Sequence, residues 1–236
     1  MTDNIQQEPK IEKPKVKIYI NRKKPIVTYT LIAICVAIFL IDQFSAKMID
    51  GQFGTGILTY YGIKDNYLIS HGQVWRLFTS IFLHGGVRHI GFNMIALYMW
   101  GRYAEMLYGK KNYILIYLFA GLLGSLGSYG LSSADSLGAS GAIYGVMGAV
   151  FYIYIYNKDF FMQVFKKQIF ILVAISLFYG FAMPNIDNMA HLFGLLGGFL
   201  SAGFFGLLKQ EEKKMPQLYL AIYIVIAVAL GVIGYV

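Results

Sequence analysis

The chain has 236 residues, of which 57% are hydrophobic and only 14% charged. Soluble domains carry about 25% charged residues, so this composition excludes an ordinary soluble enzyme and points to one compact membrane bundle. The net charge of +8 invites a nucleic-acid reading that the placement of the charges removes, and the single cysteine, Cys35, excludes an internal disulfide.

Residues 1–24 are polar and basic and end in Asn21-Arg-Lys-Lys24. They read as a cytoplasmic tail, not a cleavable signal, because a long polar stretch precedes the first apolar run. A membrane-crossing helix needs about 20 apolar residues. Runs of that kind occupy 25–41, 112–134, 136–157, 168–186, 188–208 and 215–236. A further, shorter run lies between Arg88 and Arg102 and extends upstream through Gly85-Gly86-Val87. The expected fold is all-α, a polytopic membrane helix bundle of seven spans. Its expected divisions are a tail at 1–24, a six-span core at 25–208, and a linker with a seventh span at 209–236. Cys35, within the first run, reads as a lipid-facing or packing residue.

With the tail inside, connections alternate between the two faces. The positive-inside rule then expects Lys and Arg in the inner segments. Those segments hold 16 of the 20, at 10–24, 102–111, 158–167 and 209–214, leaving Lys47, Lys64, Arg76 and Arg88 outside. The basic excess is therefore a topology signal. No nucleic-acid partner is expected; the N-terminus is predicted inside and the C-terminus outside. All four outer charges lie in or beside one long loop, 43–85, rich in Phe, Tyr, Ile and Leu. Short helices lying against the bilayer fit that composition. Within it, Trp75 reads either as an interface anchor or as a fold-specific contact.

Polar and ionisable residues inside spans are costly and tend to be functional. His84, His89 and Asn93 open the second span, Ser140 the fourth and His191 the sixth. Even-numbered spans run from outside to inside, so all five share the outer half of the bilayer. His89 and Asn93, four residues apart, share one helix face. Gly141 with Gly145, and Gly194 with Gly198, provide faces for close helix approach. If the fourth and sixth spans pack through them, Ser140 and His191 come within reach of each other.

A serine hydroxyl becomes a useful nucleophile when a base takes its proton. His191 is the candidate base. The backbone N–H of Ser140 and the side chains of Asn93 and His89 are candidate oxyanion donors. No carboxylate lies within a span at the depth of His191, and Asp187, one turn earlier, reads as loop-exposed, so the expected unit is a Ser–His dyad. Tyr144, one turn below Ser140, reads either as stacking on His191 or as ordinary aromatic packing. The histidines lack the spacing and carboxylate of a zinc site, and no metal is expected.

Several motifs now stand together: Gly138-Ala-Ser-Gly141 with Tyr144; His84-x4-His89-x3-Asn93; Ala190-His191-x2-Gly194-x3-Gly198; Trp75-Arg76; and Gly101-x3-Glu105-x3-Gly109. In this order, across about 45–208, they resemble the rhomboid intramembrane serine proteases. The resemblance implies a six-helix core plus one C-terminal span in the cell membrane. It implies Ser140 as nucleophile and His191 as base and later acid. His89, Asn93 and the Ser140 N–H would form the oxyanion site, with His84, Tyr144 and Gly138 in support and Glu105 tying down the cytoplasmic end. Substrates would be single-span membrane proteins cut at or near the outer face. No cofactor is implied. Access would lie between spans two and five, gated near 178–187. The alternative is a catalytically silent rhomboid-like chaperone or degradation adaptor. Such proteins usually lack the serine or the histidine, and both are present here.

Overall fold

A computed structural model describes residues 24–165 except 53, then 186–205 and 215–236, with isolated positions between 171 and 178. The first helix, α1 (Ile26–Asp50), has no side-chain cap from the preceding Pro25. Its leading N–H groups are met from far along the chain. The buried carboxylate of Glu105 accepts from Val27 N at 3.0 Å, Thr28 N at 2.9 Å and the Thr28 hydroxyl at 3.0 Å. The expected break after residue 41 is absent. Asp42 is buried but satisfied, accepting from Thr59 N at 2.9 Å, the Thr59 hydroxyl at 2.6 Å and Gly56 N at 3.3 Å. A carboxylate so paired does not end a helix, and α1 continues through Asp50.

The segment expected on the outer side, called the outer segment for that expectation, folds into α2 (Ile57–Gly62), α3 (Asn66–Ser70), α4 (Arg76–Thr79) and a 3-10 turn at Ser80–Phe82. Arg76 organises it. Its buried guanidinium donates to Tyr60 O and Ile63 O at 2.9–3.2 Å and to the Gln73 side chain at 2.8 Å. These bonds satisfy carbonyls at the end of α2 that no further turn of helix would meet. Trp75 makes a contact specific to this fold. Its indole N–H donates to Tyr61 O at 3.1 Å, while half of the residue is exposed beside exposed Tyr61, Val74 and Phe78.

The next helix, α5 (Val87–Leu131), has 45 residues, or about 68 Å of rise if straight. That is more than twice the roughly 30 Å hydrocarbon core. It turns back at Gly109, whose φ of 72° and ψ of 168° are non-helical. Across the turn, Gly101 meets the Tyr113 hydroxyl. The two arms are therefore antiparallel neighbours, matching the expected second and third spans. The expected polar connection at 102–111 is instead mostly helix, turned at one glycine that tolerates positive φ.

The chain continues with α6 (Ser140–Tyr156), α7 (Lys158–Phe165), α8 (Asn188–Phe205) and α9 (Met215–Tyr235). Twelve of the 17 residues of α6 are buried, with α8 and the second arm of α5 against it. Among the described residues, α1, α5, α8 and α9 are long and apolar enough to cross a membrane, and α6 is a shorter apolar helix. The expected fifth span, 168–186, lies almost wholly outside the described residues, as does most of the expected gate. Cys35 is buried and packs in the core. The last helix, α9, lies along α8 and α5. Its Tyr223 hydroxyl donates to Phe119 O at 2.8 Å, Tyr219 covers Gly203, and Tyr129 meets Gly234.

Candidate active site

The sixth of these helices, α6, starts at Ser140 and not at the expected 136, because 132–139 is held as a connection. Gly138 N donates to Ser80 O at 2.9 Å, and Ser136 exchanges two backbone bonds with Lys64. Gly138 has a φ of 136°, a region that disfavours side chains, and a Cβ there would sit 2.8 Å from the His89 ring. The chain thus turns into α6 with Ser140 in its first turn. The opening N–H groups of a helix have no intrahelical acceptor and carry the positive end of its dipole.

Glycine packing fixes what stands beside that turn. A Cβ at Gly194 would overlap Gly141 O, and one at Gly198 would overlap Gly145 O. The backbones of α6 and α8 therefore touch, as small-residue faces allow. This contact brings His191 Nε2 to 2.8 Å from Ser140 Oγ, within hydrogen-bond distance. The Tyr144 and His191 rings are stacked, with centroids 4.1 Å apart and planes 10° from parallel. Of the two readings of Tyr144, the geometry is the stacked one.

The other expected residues gather at the same mouth, in differing relations to Ser140. His84 is buried, and the Ala139 N–H points to its Nε2 at 3.5 Å. The rings of His84 and His89 lie edge to face at 5.2 Å. A Cβ on Gly138 would be 2.8 Å from His89 Nε2 and 3.8 Å from Ser140 Oγ, so imidazole and hydroxyl flank one small space. Asn93 is buried, and its amide donates to His89 O at 3.0 Å. No hydrogen bond joins Asn93 to Ser140 among the described residues.

Asp187 differs from its sequence reading. It is half-buried and caps α8, accepting from Ala190 N at 3.0 Å. Aspartate is a preferred residue for this task. Its other oxygen and His191 Nδ1 are buried without hydrogen-bond partners among the described residues, so no carboxylate bonds the imidazole there. The described residues also contain no group of three His, Cys, Asp or Glu side chains able to hold a metal.

Lys64 and Asn66 are the residues that sequence reasoning missed. Both contact the connection leading to Ser140, and the signal available was a lysine and an amide in an otherwise apolar loop. A cavity of about 570 Å³ also lies under the outer segment. Thr59, Asp65, Gln73 and Asp135 contribute to its lining, and it reaches Gly85 and Leu137 at the rim of the site.

This geometry can be set beside known proteins. The family model described as Rhomboid domain matches residues 71–210, more than half of the chain. The chain belongs to the rhomboid family. Rhomboids are serine intramembrane proteases, and this rhomboid is a multi-pass, all-helical membrane protein. It is 39% identical over 212 residues to Rhomboid protease GluP of Bacillus subtilis, covering 90% of this chain and 41% of GluP. It is 35% identical over 150 residues to Putative rhomboid protease YdcA of the same organism, covering 63% of this chain and 75% of YdcA. RHOMBOID-like protein 1 of Arabidopsis thaliana is 37% identical over 169 residues, covering 68% of this chain and 43% of the plant protein. The chain thus spans less than half the length of GluP and of the plant relative.

Proposed function

We propose that this rhomboid is a serine endopeptidase that cleaves single-span membrane proteins at or near the outer face through a Ser140–His191 dyad. The observation that carries the reading is the 2.8 Å approach of His191 Nε2 to Ser140 Oγ at the start of a buried helix. In the first step His191 Nε2 takes the hydroxyl proton as Ser140 Oγ bonds to the scissile carbonyl carbon. The carbonyl oxygen gains the negative charge, and the α6 N-terminus, His89 and Asn93 stabilise it. Asn93 then exchanges its bond to His89 O for one to the oxyanion. His191 returns the proton to the leaving amine as the C–N bond breaks, leaving an acyl-Ser140 ester. Water, deprotonated by His191, attacks the ester; Ser140 recovers its proton and the carboxyl product leaves. The cavity of about 570 Å³, with Thr59, Asp65, Gln73 and Asp135 in its lining, supports a water supply at the rim of the site. Tyr144 keeps the imidazole in the plane that the transfer needs.

The test is cleavage of a single-span substrate in proteoliposomes by the wild-type chain, S140A and H191A. Both variants should insert normally and lose cleavage, and labelling by a fluorophosphonate should disappear in S140A. Cleavage by S140A at the wild-type rate would refute the reading. Substrate capture without cleavage by the wild-type chain would favour the silent-adaptor alternative.

A further inference from the structure

Lys64 is fully buried, at 0% exposure, in the outer segment between α2 and α3. An ammonium has three N–H donors and no acceptor. Here Nζ donates to Asn66 Oδ1 at 2.7 Å, Ala134 O at 2.6 Å and Ser132 O at 3.4 Å. The Lys64 backbone pairs with Ser136 in both directions, at 3.0 and 3.1 Å. Asn66 adds its own amide, donating to Tyr129 O at 3.1 Å and Ser132 O at 2.9 Å. Lys64 and Asn66 together grip the chain from the end of α5 to within two residues of Gly138. Burial pushes the ammonium below the usual lysine value, while the carboxylates of Asp187, Asp135 and Asp65 oppose that shift.

Burying a charge is costly, and Arg76 already anchors the outer segment internally. What Lys64 adds is a bond set aimed at the connection that ends in Gly138, Ala139 and Ser140, directly through Ser132 O, Ala134 O and the Ser136 backbone and indirectly through Asn66. That connection has no regular structure of its own beyond the single Lys64–Ser136 bridge. We propose that Lys64, with Asn66, is a positioning residue: it holds 132–139 so that Ser140 and the adjacent N–H groups keep their register against His89 and His191. The proposal rests on the reading of Ser140 as nucleophile. A loosened connection lets the oxyanion donors wander while the substrate-binding surfaces persist, so the loss falls on kcat. Displacements near 1 Å in such constellations cost on the order of 100-fold in rate.

The experiment uses the full chain in proteoliposomes, measuring kcat and KM on a single-span substrate, fluorophosphonate labelling rate and thermal stability. K64M keeps the buried stem and removes the three donors; it should lower kcat 10- to 100-fold with KM within threefold, and slow labelling in parallel. K64R keeps the charge and should recover part of that loss. N66D removes one bond to the connection, at Ser132 O, and one to the end of α5, at Tyr129 O, keeps the acceptor for Lys64, and should lower kcat 3- to 10-fold at unchanged KM. The proposal is overturned if folded K64M keeps kcat within twofold, or if its loss appears in KM alone. Should K64M fail to fold, N66D decides, and a wild-type kcat in N66D overturns the proposal. A wild-type chain that neither cleaves nor labels would instead sink the assignment of Ser140.

Discussion

Replacing Gly198 with alanine drives a methyl group into the carbonyl oxygen of Gly145, at the contact that sets Ser140 beside His191. Carbon and oxygen atoms in ordinary contact stand about 3.5 Å apart, and the added Cβ falls far inside that distance. The obstacle is backbone on a buried helix, with no flexible side chain to swing away, so α6 and α8 must part by more than about 1 Å. The 2.8 Å bond between His191 and Ser140 would then lengthen toward 4 Å, beyond the range of a hydrogen bond. Misplacement of that size predicts a fall in kcat/KM of about 100-fold. The assay is steady-state cleavage of a single-span substrate in proteoliposomes, with Gly231→Ala as the matched control. A Cβ on Gly231 meets nothing within 4 Å, so that variant should match wild type. A G198A enzyme within threefold of wild type would refute the argument that this backbone contact holds the two groups in register.

Substitutions at two further residues separate fold from chemistry. Glu105→Ala leaves the α1 N–H groups of Val27 and Thr28 without their acceptor, and Thr28 is too buried for water to replace it. It should cost about 1–3 kcal/mol of stability, read as a lower midpoint of thermal unfolding, with kcat per folded molecule unchanged. Tyr144→Phe keeps the ring on His191 and should retain activity, whereas Tyr144→Ala removes a stack worth about 0.5–1.5 kcal/mol and should lower kcat roughly 2- to 10-fold. Equal rates for the two Tyr144 variants would show that the ring does not orient the imidazole.

The parts legible in the sequence were those governed by burial of apolar length. Each long apolar run among the described residues became a helix, and the glycine faces of α6 and α8 met as their spacing implied. The common level of Ser140 and His191 was legible too, since both lie in the first turns of helices that pack side by side. What escaped was set by tertiary hydrogen bonding. Asp42 looked like the end of a span, because a sequence does not display Gly56 and Thr59 folded back onto its carboxylate. Residues 136–139 looked like the start of the fourth span, because the bonds from Lys64 and Ser80 that hold them out of helix are non-local. Asp187 looked like loop, because its task is to cap a helix whose first residue follows it.

These misses bear on one physical problem, the depth of the proposed nucleophile. A peptide bond within a membrane helix has to be met below the lipid surface, where a serine needs a fixed partner and water. The α6 helix has 17 residues, or about 25 Å. The hydrocarbon core is about 30 Å thick. A helix that short cannot present both ends at the two surfaces, so its first residue is naturally submerged when its far end reaches the inner boundary. Had 136–139 joined the helix, it would have gained about 6 Å and lifted its N-terminus toward the headgroups. The backbone bonds that pair Ser136 with Lys64 and Gly138 N with Ser80 O hold that stretch out of helix and leave an irregular, polar connection above Ser140. Irregular backbone at membrane depth is tolerated only where protein or water surrounds it. The outer segment anchored by Arg76 provides the protein, and the cavity beneath it the space for water. The long loop and the short helix are thus two halves of one arrangement: the loop's bonds start the helix at Ser140, and under the proposed role of Ser140 that late start sets the serine below the lipid surface.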